Sequence, residues 1–277
     1  MTKATHLACI LLAVFLLAAS TCADFTFVQI SDTHVGVKDA AYDARYGEVI
    51  RQINALKPDF VIHTGDALQV WSPENMALFK EMTGKLAVTI YIAPGNHDIQ
   101  EIGKISAAEA TARINAWREA AGYDRVSFER DGCVFIGLDS DLFNSKLAAE
   151  KAQMNWLKSR LRQSKGKRIF IFQHQPLFLD KPDDPATYWV VAEPARGELL
   201  KLFKDYRVEA VLTGHLHRFN ESHFDGISLI STPGTSFSCA EDKGLTGYRI
   251  FRVSDGGFST RFVDMRTKGA PPGFSEQ

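Results

Sequence analysis

The sequence predicts an α/β fold with helices on both faces of its sheets. Three observations predict it. Short apolar runs alternate with helical patterns, polar clusters begin where those runs stop, and no repeat, low-complexity tract or charge block interrupts residues 24–267.

The strand candidates are 25–31, 59–63, 87–92, 133–138, 168–173 and 208–213, whose length and Val, Ile and Phe content suit buried strands. Further strands are read at 227–231, 248–253 and 258–263, with Asp255-Gly256-Gly257 as a hairpin signal between the last two. Residues 41–56 place Tyr42, Tyr46, Val49, Ile50, Ile53 and Leu56 at helical spacing, and Pro58 follows the stop. Residues 147–163 set Leu147, Met154, Leu157 and Leu161 on one face, and 106–121 and 195–205 behave alike. Trp117 and Trp156, on such faces, are assigned to the core.

Of the 277 residues, 45% are hydrophobic and 23% charged, enough apolar material for one sizeable domain. The formal net charge of -1 gives no general pull toward nucleic acid or an acidic membrane, and no basic face interleaved with aromatics is present, so no nucleic-acid partner is expected. Any polyanionic substrate must be handled locally. The oligomeric state is left open.

The N-terminus reads differently. Lys3 precedes the 13-residue apolar run LACILLAVFLLAA (7–19), and Ser20, Thr21, Cys22 and Ala23 follow. This is the pattern of a signal peptide, 1–23, with the cut after Ala23. The run is shorter than the roughly 20 residues a membrane span needs. A secreted or periplasmic domain at 24–267 and a flexible tail at 268–277 follow. A lipoprotein anchored through Cys22 is the alternative, although Ala19-Ser20-Thr21 is a poor lead-in for one. Retention of residues 1–23 would instead point to a cytosolic signalling enzyme. Cys133, in the apolar run CVFIGL, reads as a core residue, and Cys239 lies in a loop. The sequence leaves a disulfide between them open.

The chemistry sits at strand ends. Ser31-Asp32-Thr33-His34 follows the first strand and His63-Thr64-Gly65-Asp66 the second. Pro94-Gly95-Asn96-His97-Asp98 follows the third, His174 the 168–173 strand, and Gly214-His215-Leu216-His217 the 208–213 strand. In open α/β sheets, ligands gather at the carboxyl ends of strands, so five such ends would converge on one crevice. Asp, Asn and His offer oxygen and nitrogen ligands suited to Zn, Mn or Fe. One carboxylate bridges two cations most simply, and Asp66 is the natural candidate. The spacing predicts Asp32 and His34 on the same side of an extended segment, and His215 with His217 likewise. Gly65, Gly95 and Gly214 permit tight turns beside the ligands.

The ordered set D-x-H, G-D, G-N-H-D, lone His and G-H-x-H resembles the calcineurin-like metallophosphoesterase superfamily over residues 25–264. The resemblance implies a four-layer α/β/β/α sandwich of two mixed sheets flanked by helices, with a dinuclear metal site. It implies that Asp32, His34, Asp66 and His217 hold a first metal and that Asp66, Asn96, His174 and His215 hold a second. His97 is then no ligand but faces the substrate, stabilising the phosphoryl group or protonating the leaving oxygen. Asp98 is expected to orient His97. Two cations about 4 Å apart clamp the attacking and leaving oxygens of an in-line displacement and make hydroxide available near neutral pH.

Purple acid phosphatases carry a Tyr ligand after G-D and lack the first-motif His. Here Ala67-Leu68-Gln69 follows Asp66 and His34 is present, which is similar to the cyclic-nucleotide and general phosphodiesterase branches. The stretch Phe172–Phe178 resembles both those enzymes and the phosphatases that act on phosphoproteins. The motifs therefore imply hydrolysis of a phosphate mono- or diester of a small or nucleotide-like molecule, with protein dephosphorylation as the alternative. A non-catalytic metal- or phosphoryl-binding module is a further rival, which loss of ligands would favour; none is lost. Specificity is placed in loops 67–77 with Trp71, 98–106, 139–146, 178–194 with Tyr188 and Trp189, and 235–246. Tyr188 and Trp189 either stack on a base or sugar or pin their loop. His63 is read as a core or ligand-supporting residue, His223 as a surface residue, and His6 falls in the signal segment.

Overall fold

Phe25 and Phe27 alternate with Val28 and Ile30 along the first strand, and the two sets end in different cores. The computed structural model describes residues 24–237 and 244–266. The expected signal segment, Cys239 and the tail at 268–277 lie outside them.

The strands are β1 (Phe25–Ile30), β2 (Phe60–His63), β3 (Ile90–Ile92), β4 (Val126–Arg130), β5 (Cys133–Gly137), β6 (Arg168–Phe172), β7 (Val208–Thr213), β8 (Asn220–Phe224), β9 (Ile227–Ser231), β10 (Gly247–Ser254) and β11 (Gly257–Asp264). The helices are α1 (Ala40–Leu56), α2 (Pro73–Thr83), α3 (Asn96–Ile99), α4 (Ala107–Ala121), α5 (Ala148–Gln163) and α6 (Ala195–Asp205). One sheet runs β11-β10-β1-β2-β3 and the other β4-β5-β6-β7-β9-β8. Both are mixed: β1, β2 and β3 are parallel, as are β5, β6, β7 and β9, while β10, β11, β4 and β8 add antiparallel edges.

Between the sheets lies an aromatic layer. Phe27 stacks on Phe251 at 4.6 Å and on Phe60 at 5.1 Å, and meets Phe135 edge-on at 5.3 Å. Offset and edge-on ring pairs add stability beyond the area they bury. Outside the first sheet, Val28, Ile30 and Val61 pack on Tyr46, Val49 and Ile53 of α1, Phe79 of α2 and Trp117 of α4. Outside the second, Ile169, Ile171 and Val211 pack on Leu157 and Leu161 of α5 and Leu199 and Phe203 of α6. The result is the four-layer α/β/β/α sandwich, with the carboxyl ends of the parallel strands on one rim.

Several elements depart from the sequence reading. The expected strand 87–92 shrinks to the three residues of β3. β4 and β8 were not expected, because VSFER and NESHF are half-exposed edge strands too polar to read as core. Residues 67–77 are not one open loop, since α2 begins at Pro73, capped by Ser72 Oγ accepting from the Asn75 amide at 3.1 Å. Trp71 lies against Trp117, ring centres 6.5 Å apart, and so belongs to the outer core rather than to a specificity loop. Trp156 is only partly buried, with Arg125 and Arg160 over its ring. Cys133 is buried, as expected, and its pairing with Cys239 falls outside the described residues.

Candidate metal centre

The ligand candidates converge, but not by extended alternation. Asp32, His34, Asp66, His215 and His217 have φ of 51°, 45°, 53°, 66° and 52°, all left-handed. This corrects the expectation that D-x-H and H-x-H lie on extended segments. Non-glycine residues in this region cost about 1–3 kcal/mol each and persist where surrounding bonds over-determine them. Those bonds are present. The Asp32 amide donates to Gly65 O at 2.9 Å and the His34 amide to Asp66 O at 3.0 Å, so the first two motifs brace each other. At Gly65, φ is +96° and an added Cβ would fall 2.7 Å from His174 Nδ1; at Gly95 it would run into the Asp66 amide and carboxylate.

Two groups of donors result. In one, atoms of Asp32, His34 and His217 lie within 4.8 Å of one another; in the other, those of Asp66, His174 and His215 do. His217 Nε2 is 3.3 Å from Asp32 Oδ1, and His174 Nε2 is 3.1 Å from Asp66 Oδ2. His34 Nε2 lies 3.9 Å from Asp32 and 3.8 Å from Asp66, so Asp66 stands between the groups, where a bridging carboxylate must be. All six side chains are buried. His97 falls in a third group with His34 and Asp66, yet it is only partly buried and lines an open recess with Gln69, Val70 and Gln100.

Burial sets the charges. It pushes His34 and His215 down to about 3, so both rings are neutral with a lone pair to offer. Burial also raises Asp32. At Asp66 the desolvation is outweighed by the His174 charge, which holds the carboxyl well below its ordinary value. The reciprocal attraction pushes His174 up to about 10 against its own burial. The Asp66–His174 ion pair thus balances charge in the protein alone.

A surrounding layer fixes each ring. His174 Nδ1 bonds Thr64 O at 2.8 Å and His215 Nε2 bonds Tyr188 O at 3.0 Å, leaving His174 Nε2 and His215 Nδ1, 3.1 Å apart, toward the site. His97 Nδ1 bonds Gln69 O at 2.7 Å. Asn96 Nδ2 donates to the Tyr188 hydroxyl at 3.1 Å. His63 is buried, pairs with Thr33 Oγ1 at 3.0 Å and accepts from the Gly65 amide at 3.1 Å, so it supports both ligand loops. His223 is exposed, as read from the sequence.

Asp98 is corrected. Its carboxylate accepts the Gly95 amide at 2.8 Å, the Leu68 amide at 2.9 Å and the Ala67 amide at 3.2 Å. It ties the second and third motifs together, whereas a backbone carbonyl, Gln69 O, orients His97. That carbonyl and Thr64 O left no trace in the sequence, because any residue type supplies a backbone oxygen.

The donors fit cations. Among the described residues, buried Asp32 Oδ1, Asn96 Oδ1 and both His34 ring nitrogens have no hydrogen-bond partner, a costly arrangement unless another group engages them. Oxygen and imidazole donors suit Mn, Fe or Zn.

A family model described as calcineurin-like phosphoesterase matches residues 25–219. The serine/threonine-protein phosphatase CPPED1 of Danio rerio is 26% identical over 267 residues, covering 86% of this chain and 84% of its own. A probable glycerophosphodiester phosphodiesterase, GpdQ, of Arcobacter nitrofigilis is 29% identical over 226 residues, 78% of this chain and 80% of its own. The solved structure of a dimetal phosphatase from Danio rerio shares the fold with a TM-score of 0.59 at 14% identity, over 85% of this chain and 98% of that one. With five motifs meeting at one rim and a family match spanning most of its length, the chain belongs to the calcineurin-like phosphoesterases and is a hydrolase of phosphoric esters.

Proposed function

We propose that the protein hydrolyses phosphate mono- or diesters of small, nucleotide-like molecules, with Asp32, His34, Asp66 and His217 around one cation and Asp66, Asn96, His174 and His215 around another. The observation that carries this is the position of Asp66 between two buried donor groups. Two such cations, Mn, Fe or Zn, supply Lewis acidity toward the phosphoryl oxygens and hydroxide near neutral pH.

The chain's own residues do the rest. Backbone carbonyls take one ring nitrogen of His174 and of His215, which turns the other nitrogen of each ring inward. His97, anchored at Nδ1 by Gln69 O, keeps Nε2 for the leaving-group oxygen and delivers a proton there. Its partial exposure and its place in the wall of a recess favour this role over ligation.

The proposal extends to location: residues 1–23 are a cleaved signal peptide, and the mature protein works outside the cytosol. Among the described residues no helix is long and apolar enough to cross a membrane. Mass spectrometry of the mature N-terminus tests the cleavage. Hydrolysis of p-nitrophenyl phosphate and bis-p-nitrophenyl phosphate with Mn, with and without chelator, tests the activity. Silence toward both with metal bound would favour a phosphoryl-binding module.

A further inference from the structure

Two recesses meet over Asn96. One, of about 330 Å³, is lined by His97, Gln69, Val70, Gln100 and Ile105. The other, of about 380 Å³, is lined by Asn144, Ser145, Gln175, Thr187 and Tyr188 among others. Asn96, Glu101 and Lys104 belong to both walls, so these three residues form the ridge between them. Lys104 Nζ pairs with Glu101 Oε2 at 2.5 Å and lies 5.7 Å from the Tyr188 ring centre.

A phosphate monoester has one organic arm and a diester has two. A single pocket beside the metal donors would serve the first; a divided cleft serves the second. Resting on the reaction proposed above, we infer that the protein is a phosphodiesterase whose two ester arms lie on either side of the Glu101–Lys104 ridge. The arm that leaves occupies the His97 recess, because only that wall presents the proton donor. The arm that stays on the phosphate occupies the Asn144–Tyr188 recess.

The chemistry of the second recess defines the retained arm. The Asn144 amide is held by Ala192 O and the Ala195 amide, which leaves the side-chain amide of Gln175 and the hydroxyls of Ser145, Thr187 and Tyr188 to donate and accept. Its ammonium, Lys104, is already neutralised by Glu101, and Asp141 adds a carboxyl to the wall. A second phosphate would find no unpaired cation there. The recess therefore suits an uncharged, hydroxyl-bearing alcohol, a polyol or the sugar of a nucleoside, with the Tyr188 ring as a flat wall. Val190, Val191 and Ala192 give this recess an apolar side.

Gly103 lines the second recess, and a Cβ added there meets nothing within 4 Å, which makes Gly103→Trp the probe for filling that space. Three esters separate the cases: p-nitrophenyl thymidine 5′-phosphate, methyl p-nitrophenyl phosphate and p-nitrophenyl phosphate. In the wild type, kcat/KM falls in that order. Gly103→Trp lowers the thymidine ester by about 10-fold or more and leaves the methyl ester within about 2-fold. Ala192→Trp, a second lining position, gives the same split. A wild type that prefers the monoester, or variants that lower all three equally while melting normally, overturns the assignment. Calorimetry is independent of turnover: thymidine 5′-phosphate binds the Mn-loaded protein more tightly than inorganic phosphate, and Gly103→Trp removes the difference. Equal affinities in the wild type also overturn it. If no ester is hydrolysed, the reaction itself fails, and the calorimetry still decides the arm.

Discussion

Asn96 donates its side-chain amide to the Tyr188 hydroxyl at 3.1 Å, and its Oδ1 is left buried without a hydrogen bond. Tyr188 thereby settles which end of the amide faces the metal donors, while its backbone oxygen holds His215. One loop residue thus orients two of the residues proposed to hold the second cation. Tyr188→Phe removes only the first bond. The expected result is a loss of about 10-fold in affinity at one of the two metal positions, with the other unchanged. Two-step Mn titration by calorimetry measures this; two equally weakened steps, or none, would remove the orienting role.

His97→Ala should keep both metals and lose about 10²–10⁴ in kcat, the usual contribution of a proton donor. Metal content per chain and turnover are measured on one sample. Loss of metal in this variant would make His97 a ligand.

Asp98 gives the contrasting case. Its carboxylate is an acceptor for three buried backbone amides. Asp98→Ala leaves them unpaired, at a cost of about 2–4 kcal/mol in stability. The signature is a lowered denaturation midpoint even in chelator, where His97→Ala is expected to melt as the wild type does. Equal melting of the two variants would return Asp98 to the catalytic group.

Metal removal should itself destabilise. Binding at 100 times Kd adds about 2.7 kcal/mol per site, so chelation lowers the Tm and Mn restores it. A Tm indifferent to chelator would mean that the buried donors without hydrogen bonds are satisfied by the protein alone.

Asp139 supplies a pH test away from the ligands. It is fully buried, and burial together with Asp141 and Asp124 raises its carboxyl well above the ordinary value. The folded protein favours the neutral form, so this contribution is intact below the unfolded pKa near 4 and is lost as pH rises toward the folded value. Asp139→Asn does not titrate. Its Tm relative to the wild type should therefore climb between pH 5 and pH 8. A difference that stays flat or falls would contradict the raised carboxyl.

The layers and the ligand rim were legible because both rest on strong local signals. Phe27 beside Val28 marks a strand buried on both faces, and polar ligands directly after such strands mark one rim. Tyr188 was legible as a loop aromatic, not as the partner of Asn96, because 92 positions separate them. The loop 98–106 was legible as a place for specificity, but not the Glu101–Lys104 pair within it, because nothing in the sequence says which loop side chains meet. The left-handed ligands escaped for another reason: spacing gives which residues approach but not the sign of φ. Asp98 was misread because adjacency in a motif suggested contact with His97, while its carboxylate turned to the backbone.

Asp66 follows a strand of the first sheet and His174 a strand of the second, and the same division separates Asp32 and His34 from His215 and His217. The two halves of the sandwich also meet through a phenylalanine-rich apolar layer and through buried hydrogen bonds such as Gln29 Nε2 to Thr213 O at 2.9 Å. Cations held by these donors, as proposed, would act as rivets at one end of that seam. Filling the centre should then slow hydrogen exchange along β2 and β7 together, far beyond the ligands.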